Sequence, residues 1–333
     1  MELIYPKYYY DFRCLAADCP DSCCKEWAVD VDDVTAGFYR SLPGELGQEL
    51  RAVLHEEDGS TVMTITNGRC PMWQQDGLCR IQAELGHDAL CQVCRDFPRI
   101  RHDYGSFTEL GLELSCPEAA RLIFTASEHR MVISCVSGGE IPDYDPVIMC
   151  ILRKSREEIL NFLDDGQYPL AETLAIVLLY GYGVQGQIDG GEEAVFSPEN
   201  ALRSAKSVAA PANWESLFVF FRELEILTSQ WGKLLSTVPT FYGVLEGVRP
   251  LARYGIQRYW LQAISDGDLI GRIKFILAAC LLVSAIGGEP AQTAQLFSKE
   301  IENDPDNVNR ILDAAYTEPA FADTHLLGLL FGR

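Results

Sequence analysis

The chain has 333 residues, with 27 Lys and Arg against 48 Asp and Glu, for a formal net charge of -21. That length sets a soft prior of about two domains, and a 48% hydrophobic content is enough for a sizeable core. A surface this acidic repels phosphate backbones, which argues against general nucleic-acid binding. It is either a solvated acidic surface or one that favours a basic peptide or a lysine side chain.

Residues 1–13 are rich in aromatics (Tyr5, Tyr8, Tyr9, Tyr10, Phe12) with poor alternation, so a short strand or extended segment is expected. FRCLAADCPDSCCKEW follows and supplies Cys14, Cys19, Cys23 and Cys24 as C-x4-C-x3-C-C. One helix face cannot satisfy that spacing, whereas a loop wrapped around a metal can, with Pro20 and Asp21 in a turn. Neighbouring side chains diverge in most backbones, so only one of Cys23 and Cys24 is expected to bind each metal.

AVDVDDVTAGFYRSLP predicts a short strand, then a helix from Asp33 that stops before Pro43. Its carboxylates lack the glycine and distant glutamate of an EF-hand, so they mark a helix N-terminus. A helix over Leu46–His55 and a strand in STVMTIT come next, and Asn67–Gly68 turns the chain into Cys70. Between Cys79 and Cys94 two short helices are expected around Gly86, with Cys91 and Cys94 as a C-x2-C pair, a specific metal signal. No βαβ pattern surrounds that pair, which weakens a thioredoxin-type reading. RDFPRIRHDYG then brings Arg95, Arg99 and Arg101, which can neutralise a cluster's charge, grip a carboxylate or pair on the surface.

Cys116 in ELSCPEAARL is the ninth cysteine of the first 116 residues, out of twelve in the chain. Thiolates gathered in this way are soft ligands for zinc, copper(I) or iron–sulfur clusters. More than four of them leave room for a second site. Disulfides would need an oxidising compartment, and the N-terminus has no basic stretch followed by an apolar one. Cys135, Cys150 and Cys280 sit alone in apolar surroundings and are expected to be buried small hydrophobes.

From Pro117 onward the pattern is helical, with amphipathic segments near 146–164, 169–182, 212–236, 249–264, 269–286, 291–302 and 305–316. Gly166, Gly181 to Gly191 and Gly287–Gly288 mark loops. GYGVQG, Gly181 to Gly186, fits G-x-G-x-x-G, but a helical pattern precedes it and a loop follows, the wrong context for a dinucleotide turn. The apolar run Phe275 to Gly288 is shorter than the roughly 18 to 20 residues of a membrane span and reads as a buried helix. No targeting or lipidation signal is present, so a cytoplasmic protein without membrane attachment is expected. The fold class is mainly α: a helical domain over 126–333 behind a cysteine-rich, partly irregular metal-binding region over 1–125 that carries minor β.

Taken together, FRC-x4-C-x3-CC-x2-W, CP-x6-GLC-x-IQ-x-ELG, CR-x-FPR and SCPEAAR resemble the flagellin lysine N-methylase (FliB) family. That family overlaps a group of zinc- or iron-chelating cysteine-cluster domains. The resemblance is close over residues 10–125 and looser in QRYWLQAISDGDL, IGRIKFILAACLL and FSKEIENDPDNVNRIL. It implies methyl transfer from S-adenosylmethionine to lysine ε-amines of flagellin in a bacterial cytoplasm. It also implies a cysteine-bound metal centre, an iron–sulfur cluster in preference to zinc. The family's cysteines fall on Cys14, Cys19, Cys23, Cys24, Cys70, Cys79, Cys94 and Cys116, with Cys91 supplementary. Two departures stand out: Glu300, Ile301, Glu302, Asn303 and Asp304 replace an E-I-E-H-S element, and the chain is short for the family.

The C-x3-C-x2-C spacing of radical S-adenosylmethionine chemistry is missing, since Cys19-x3-Cys23 is followed at once by Cys24. Spacing singles out no catalytic residue or methyl-donor site, and the oligomeric state is not legible. A metal-stabilised protein-binding module and an iron–sulfur redox protein stay open as alternatives.

Overall fold

The computed structural model describes residues 1–57, 59–128, 130–139, 141–238 and 245–332. Strand β1 (Glu2–Pro6) opens the chain, and the aromatic stretch after it winds into a 3-10 turn at Lys7–Asp11. The cysteine loop follows. Next come β2 (Val29–Asp30), α1 (Asp33–Ser41), α2 (Gly44–Val53), β3 (Leu54–Glu57) and β4 (Ser60–Met63). As the carboxylate pattern implied, the Asp32 side chain caps α1 by accepting from the Thr35 N–H. The strands pair in the order β2-β4-β3, all antiparallel.

Helices α3 (Arg80–Leu85) and α4 (Gln92–Asp96) flank Gly86, which takes a positive φ of 88° at the end of α3. After α4 the chain forms two strands that the sequence reading missed, β5 (Arg99–Asp103) and β6 (Phe107–Leu112). Arg99, Arg101 and Asp103 are exposed while Ile100 and His102 are half-buried, so the alternation is present but carried by charged residues. Helix α5 (Pro117–Thr125) and strand β7 (Met131–Cys135) complete this part. The second sheet runs β5-β6-β1-β7, with β1 parallel to β6 and antiparallel to β7. The expectation of helix alone beyond Pro117 is thereby corrected, because β1 needs an antiparallel partner and residues 131–135 supply it.

The rest is helical: α6 (Pro146–Asp165), α7 (Leu170–Ile188), α8 (Pro198–Val208), α9 (Trp214–Arg222), α10 (Ser229–Leu235), α11 (Arg249–Tyr259), α12 (Leu269–Ile286) and α13 (Pro290–Phe297). A π-turn at Ser298–Glu302, α14 (Pro305–Thr317) and α15 (Asp323–Phe331) close the chain. Helix α8 escaped the periodicity reading, although Ser197–Pro198–Glu199 is a start signal.

The single helix expected over 212–236 is two. Between α9 and α10 the buried Glu300 carboxylate accepts the N–H groups of Leu227 and Thr228, so a distant side chain satisfies the backbone where the helix breaks. The loop expected at Gly181–Gly191 begins later, since α7 continues through Ile188. An added Cβ on Gly181 would lie 2.2 Å from Ile273 Cδ1 of α12, so the GYGVQG glycine serves helix packing. Helix α12 is long and apolar enough to span a membrane by length and composition, yet fifteen of its residues are buried inside the protein. It is the central helix of the large core.

That core runs from Ile4 and Phe107 of the β5-β6-β1-β7 sheet through the helical body, and a separate core under the cysteine loop contains Val29, Tyr39, Leu50, Met63 and Met72. Arg156 of α6 makes a bidentate ion pair with Glu109 of β6, both under 10% exposed, and so clamps sheet to body.

Candidate metal centre and adjoining acidic cavity

All twelve cysteines are free thiols. Cys14, Cys19, Cys23 and Cys24 lie on the irregular loop after the first 3-10 turn, where a second one at Ala16–Asp18 forces Ala16 to a φ of 51°. The Cys70 N–H donates to the Cys24 carbonyl at 2.8 Å, which brings the second cysteine segment under the first. Cys79 and Cys91 precede α3 and α4, and Cys116 precedes α5. Cys14, Cys19, Cys23, Cys24, Cys79, Cys94 and Cys116 line one cavity of about 400 Å³, together with Arg13 and Arg99. Cys70 and Cys91 are buried behind it, in the head core.

The thiols interact strongly. Cys24 is held well below the usual thiol range, because Cys23 and Cys70 donate hydrogen bonds to its sulfur. Those same bonds, reinforced by burial, push Cys23 and Cys70 up. Cys91 is lowered and Cys94 raised by the bond between them. Burial pushes Cys116 up to about 11 against two backbone N–H groups of α5. A crowd of thiols can therefore carry only a few negative charges unless a cation shares the space. The remaining three cysteines stand apart. Cys280 is buried as expected, but Cys135 and Cys150 are exposed, since β7 and α6 turn them outward.

Beside the thiol cavity, and sharing Cys23, Trp27, Cys94 and Phe97 with it, lies a second cavity of about 690 Å³. Its wall carries Glu26, Glu113, Glu225, Glu300, Glu302 and Asp304, with Lys299 as its basic residue. Glu302 accepts hydrogen bonds from Tyr259 at 2.5 Å and Tyr254 at 3.2 Å. Desolvation raises Glu113 above the ordinary carboxylate range against the opposing pull of Arg258. A third cavity, of about 980 Å³, meets the thiol cavity at Leu15, Asp21, Pro117 and Glu118.

The flagellar biosynthetic protein FliU of Salmonella muenchen is 31% identical over 125 residues, which cover 35% of this chain and 74% of FliU. Lysine-N-methylases of Salmonella choleraesuis and Salmonella typhimurium are also 31% identical over 125 residues. The chain belongs to the lysine N-methylase (FliB) family. It spans 31% of the length of those two FliB-family lysine-N-methylases. No family model and no solved structure matches it.

Among the described residues, no group of three or more His, Cys, Asp or Glu side chains is arranged to hold a metal ion. The donor set nonetheless suits one chemically. Seven thiols of this FliB-family head face one cavity, with arginines to offset thiolate charge. Ser115, 2% exposed and on the same wall, has a buried hydroxyl without a hydrogen-bond partner among the described residues. Sequence reasoning missed the acidic cavity. Its carboxylates come from four separate stretches of chain, and no local spacing links Glu26, Glu113 and Glu225 to the Glu300–Asp304 turn.

Proposed function

We propose that this protein is an S-adenosylmethionine-dependent protein-lysine N-methyltransferase that acts on flagellin in the cytoplasm, with an iron–sulfur or zinc centre held by its head cysteines. The carrying observation is membership of the lysine N-methylase family. An acidic cavity with two aromatic side chains, Trp27 and Phe97, supports the reading, because a lysine side chain is a cation on an apolar stem. When bound, the metal centre supplies folding energy and, as an iron–sulfur cluster, one-electron chemistry.

The reaction needs a neutral amine. An ammonium with an ordinary pKa near 10.4 gives up its proton to solvent or a base, and its nitrogen lone pair then attacks the methyl carbon of the sulfonium. The new N–C bond forms as the C–S bond breaks, and the sulfur keeps the electron pair of the broken bond as a neutral thioether. Carboxylates around the cavity attract and orient the ammonium but also hold its proton on, so desolvation against the cavity's aromatic wall must favour the neutral amine. The test is incubation of anaerobically purified protein with S-adenosylmethionine and flagellin of the same organism, followed by intact-mass measurement. Successive additions of one methylene on lysines are expected. If a metal-loaded, folded protein transfers no methyl group, a metal-stabilised binding module replaces this reading.

A further inference from the structure

The nine head cysteines divide into two sets by what they pack against. Cys70 and Cys91 are part of the head core, and Cys24, Cys79 and Cys94 pack on the same core. Cys116 belongs to another apolar cluster, with Tyr9, Phe12, Leu112 and Ala119, in which no other cysteine takes part among the described residues.

Cys14, Cys19 and Cys23 take no part in either cluster, and together with Cys116 they line the thiol cavity.

We propose that the head carries two thiolate metal centres, an inner one drawn from Cys24, Cys70, Cys79, Cys91 and Cys94 and an outer one held by Cys14, Cys19, Cys23 and Cys116. A tetrahedral ion or a cubane cluster takes four thiolates, so nine thiols exceed one centre and match two. The inner set is fixed by the packed core around it. The outer set has three ligands on a loop and one at the head of α5, and Cys14 and Cys23 are exposed, so its metal is the more readily removed. Ser115, next to Cys116, places its unpartnered hydroxyl where it can donate to an outer-centre sulfur. Both centres take a soft metal, either zinc or an iron–sulfur cluster.

This inference rests on the metal-binding reading of the head, and the experiment separates the two. The full chain and its Cys14→Ser/Cys19→Ser variant are purified anaerobically, and zinc, iron and acid-labile sulfide are measured per chain alongside circular dichroism. Zinc without sulfide identifies ions, and iron with sulfide identifies clusters. Two centres are expected in the parent and one in the variant, with helical content unchanged. A chelator is expected to remove metal from the parent in two phases. A single centre in the parent, or a variant that keeps all of the parent's metal, overturns the two-centre inference while the metal-binding head stands. A folded parent with no metal overturns both.

Discussion

Lys299 Nζ, on the π-turn of the body, lies 3.0 Å from both carboxylate oxygens of Asp21 in the cysteine loop. The same ammonium reaches Glu26 at 2.6 Å and sits 5.2 Å from the Trp27 ring. A lysine side chain that is 2% exposed therefore locks the loop bearing Cys19 and Cys23 onto the helical body. Lys299→Met should leave Glu26 facing Asp21 without the buried ammonium, while Asp21 keeps Lys25 at 3.7 Å and Gln295 at 3.0 Å. Breaking a buried pair costs about 3–5 kcal/mol, and the lower end is expected because Asp21 and Glu26 are 26% and 32% exposed. Urea unfolding checks the loss, and faster alkylation of Cys19 and Cys23 in the variant would locate it in the loop.

The Arg156–Glu109 clamp is more deeply buried, at 9% and 7% side-chain exposure. Glu109→Ala strands a guanidinium that, among the described residues, keeps only the Gln257 carbonyl, at 3.1 Å. A destabilisation of about 3–5 kcal/mol is expected. In Glu109→Gln, which retains an acceptor at the same place, the loss should be smaller. Equal losses in the two variants would show that packing of the side chain, and not its charge, holds β6 to α6.

How far these contacts were legible in the sequence depended on their range. Cysteine spacing located the head, and the carboxylates before α1 and Pro117 before α5 marked helix starts through local chemistry. Strands β5 and β7 were hidden because the former carries charged residues and the latter is recognisable only through its partner β1. The acidic cavity and the Lys299 lock were hidden for the same reason. Both join residues more than two hundred positions apart, and a carboxylate or a lysine alone reads as surface. The break between α9 and α10 depends on Glu300 in the same way.

His102 on β5 has a buried Nε2 without a hydrogen-bond partner among the described residues. Burial lowers its pKa, Arg258 and Arg156 lower it further, and Glu109 opposes them. The unfolded chain therefore binds this proton more readily than the folded one. Its stabilising contribution is complete above about pH 6.5 and is lost as pH falls below that value toward the folded pKa. Denaturant melts of His102→Gln and the parent on either side of pH 6.5 should show a shallower acid-side loss in the variant. Parallel curves would mean that the imidazole does not contribute to the acid sensitivity.

Glu302 is the acidic-cavity carboxylate oriented by two tyrosine hydroxyls, so its charge is presented at a fixed place. If the cavity receives a lysine ammonium, Glu302→Gln removes a charged hydrogen-bond partner worth about 1.5–3 kcal/mol, and KM for the protein substrate should rise about tenfold or more. A contact equally strong in the ground and transition states changes KM and leaves kcat nearly unchanged. KM of the parent should also rise with ionic strength, and that of the variant less steeply. The pH profile gives a readout that a merely structural role would not move. A nearby carboxylate favours the charged amine and raises its pKa, so its removal should shift the alkaline rise in rate to lower pH. Steady-state methyl transfer to flagellin across pH and salt measures all three effects. Unchanged KM together with an unchanged alkaline limb would remove the cavity from substrate binding, and the lysine would have to enter elsewhere.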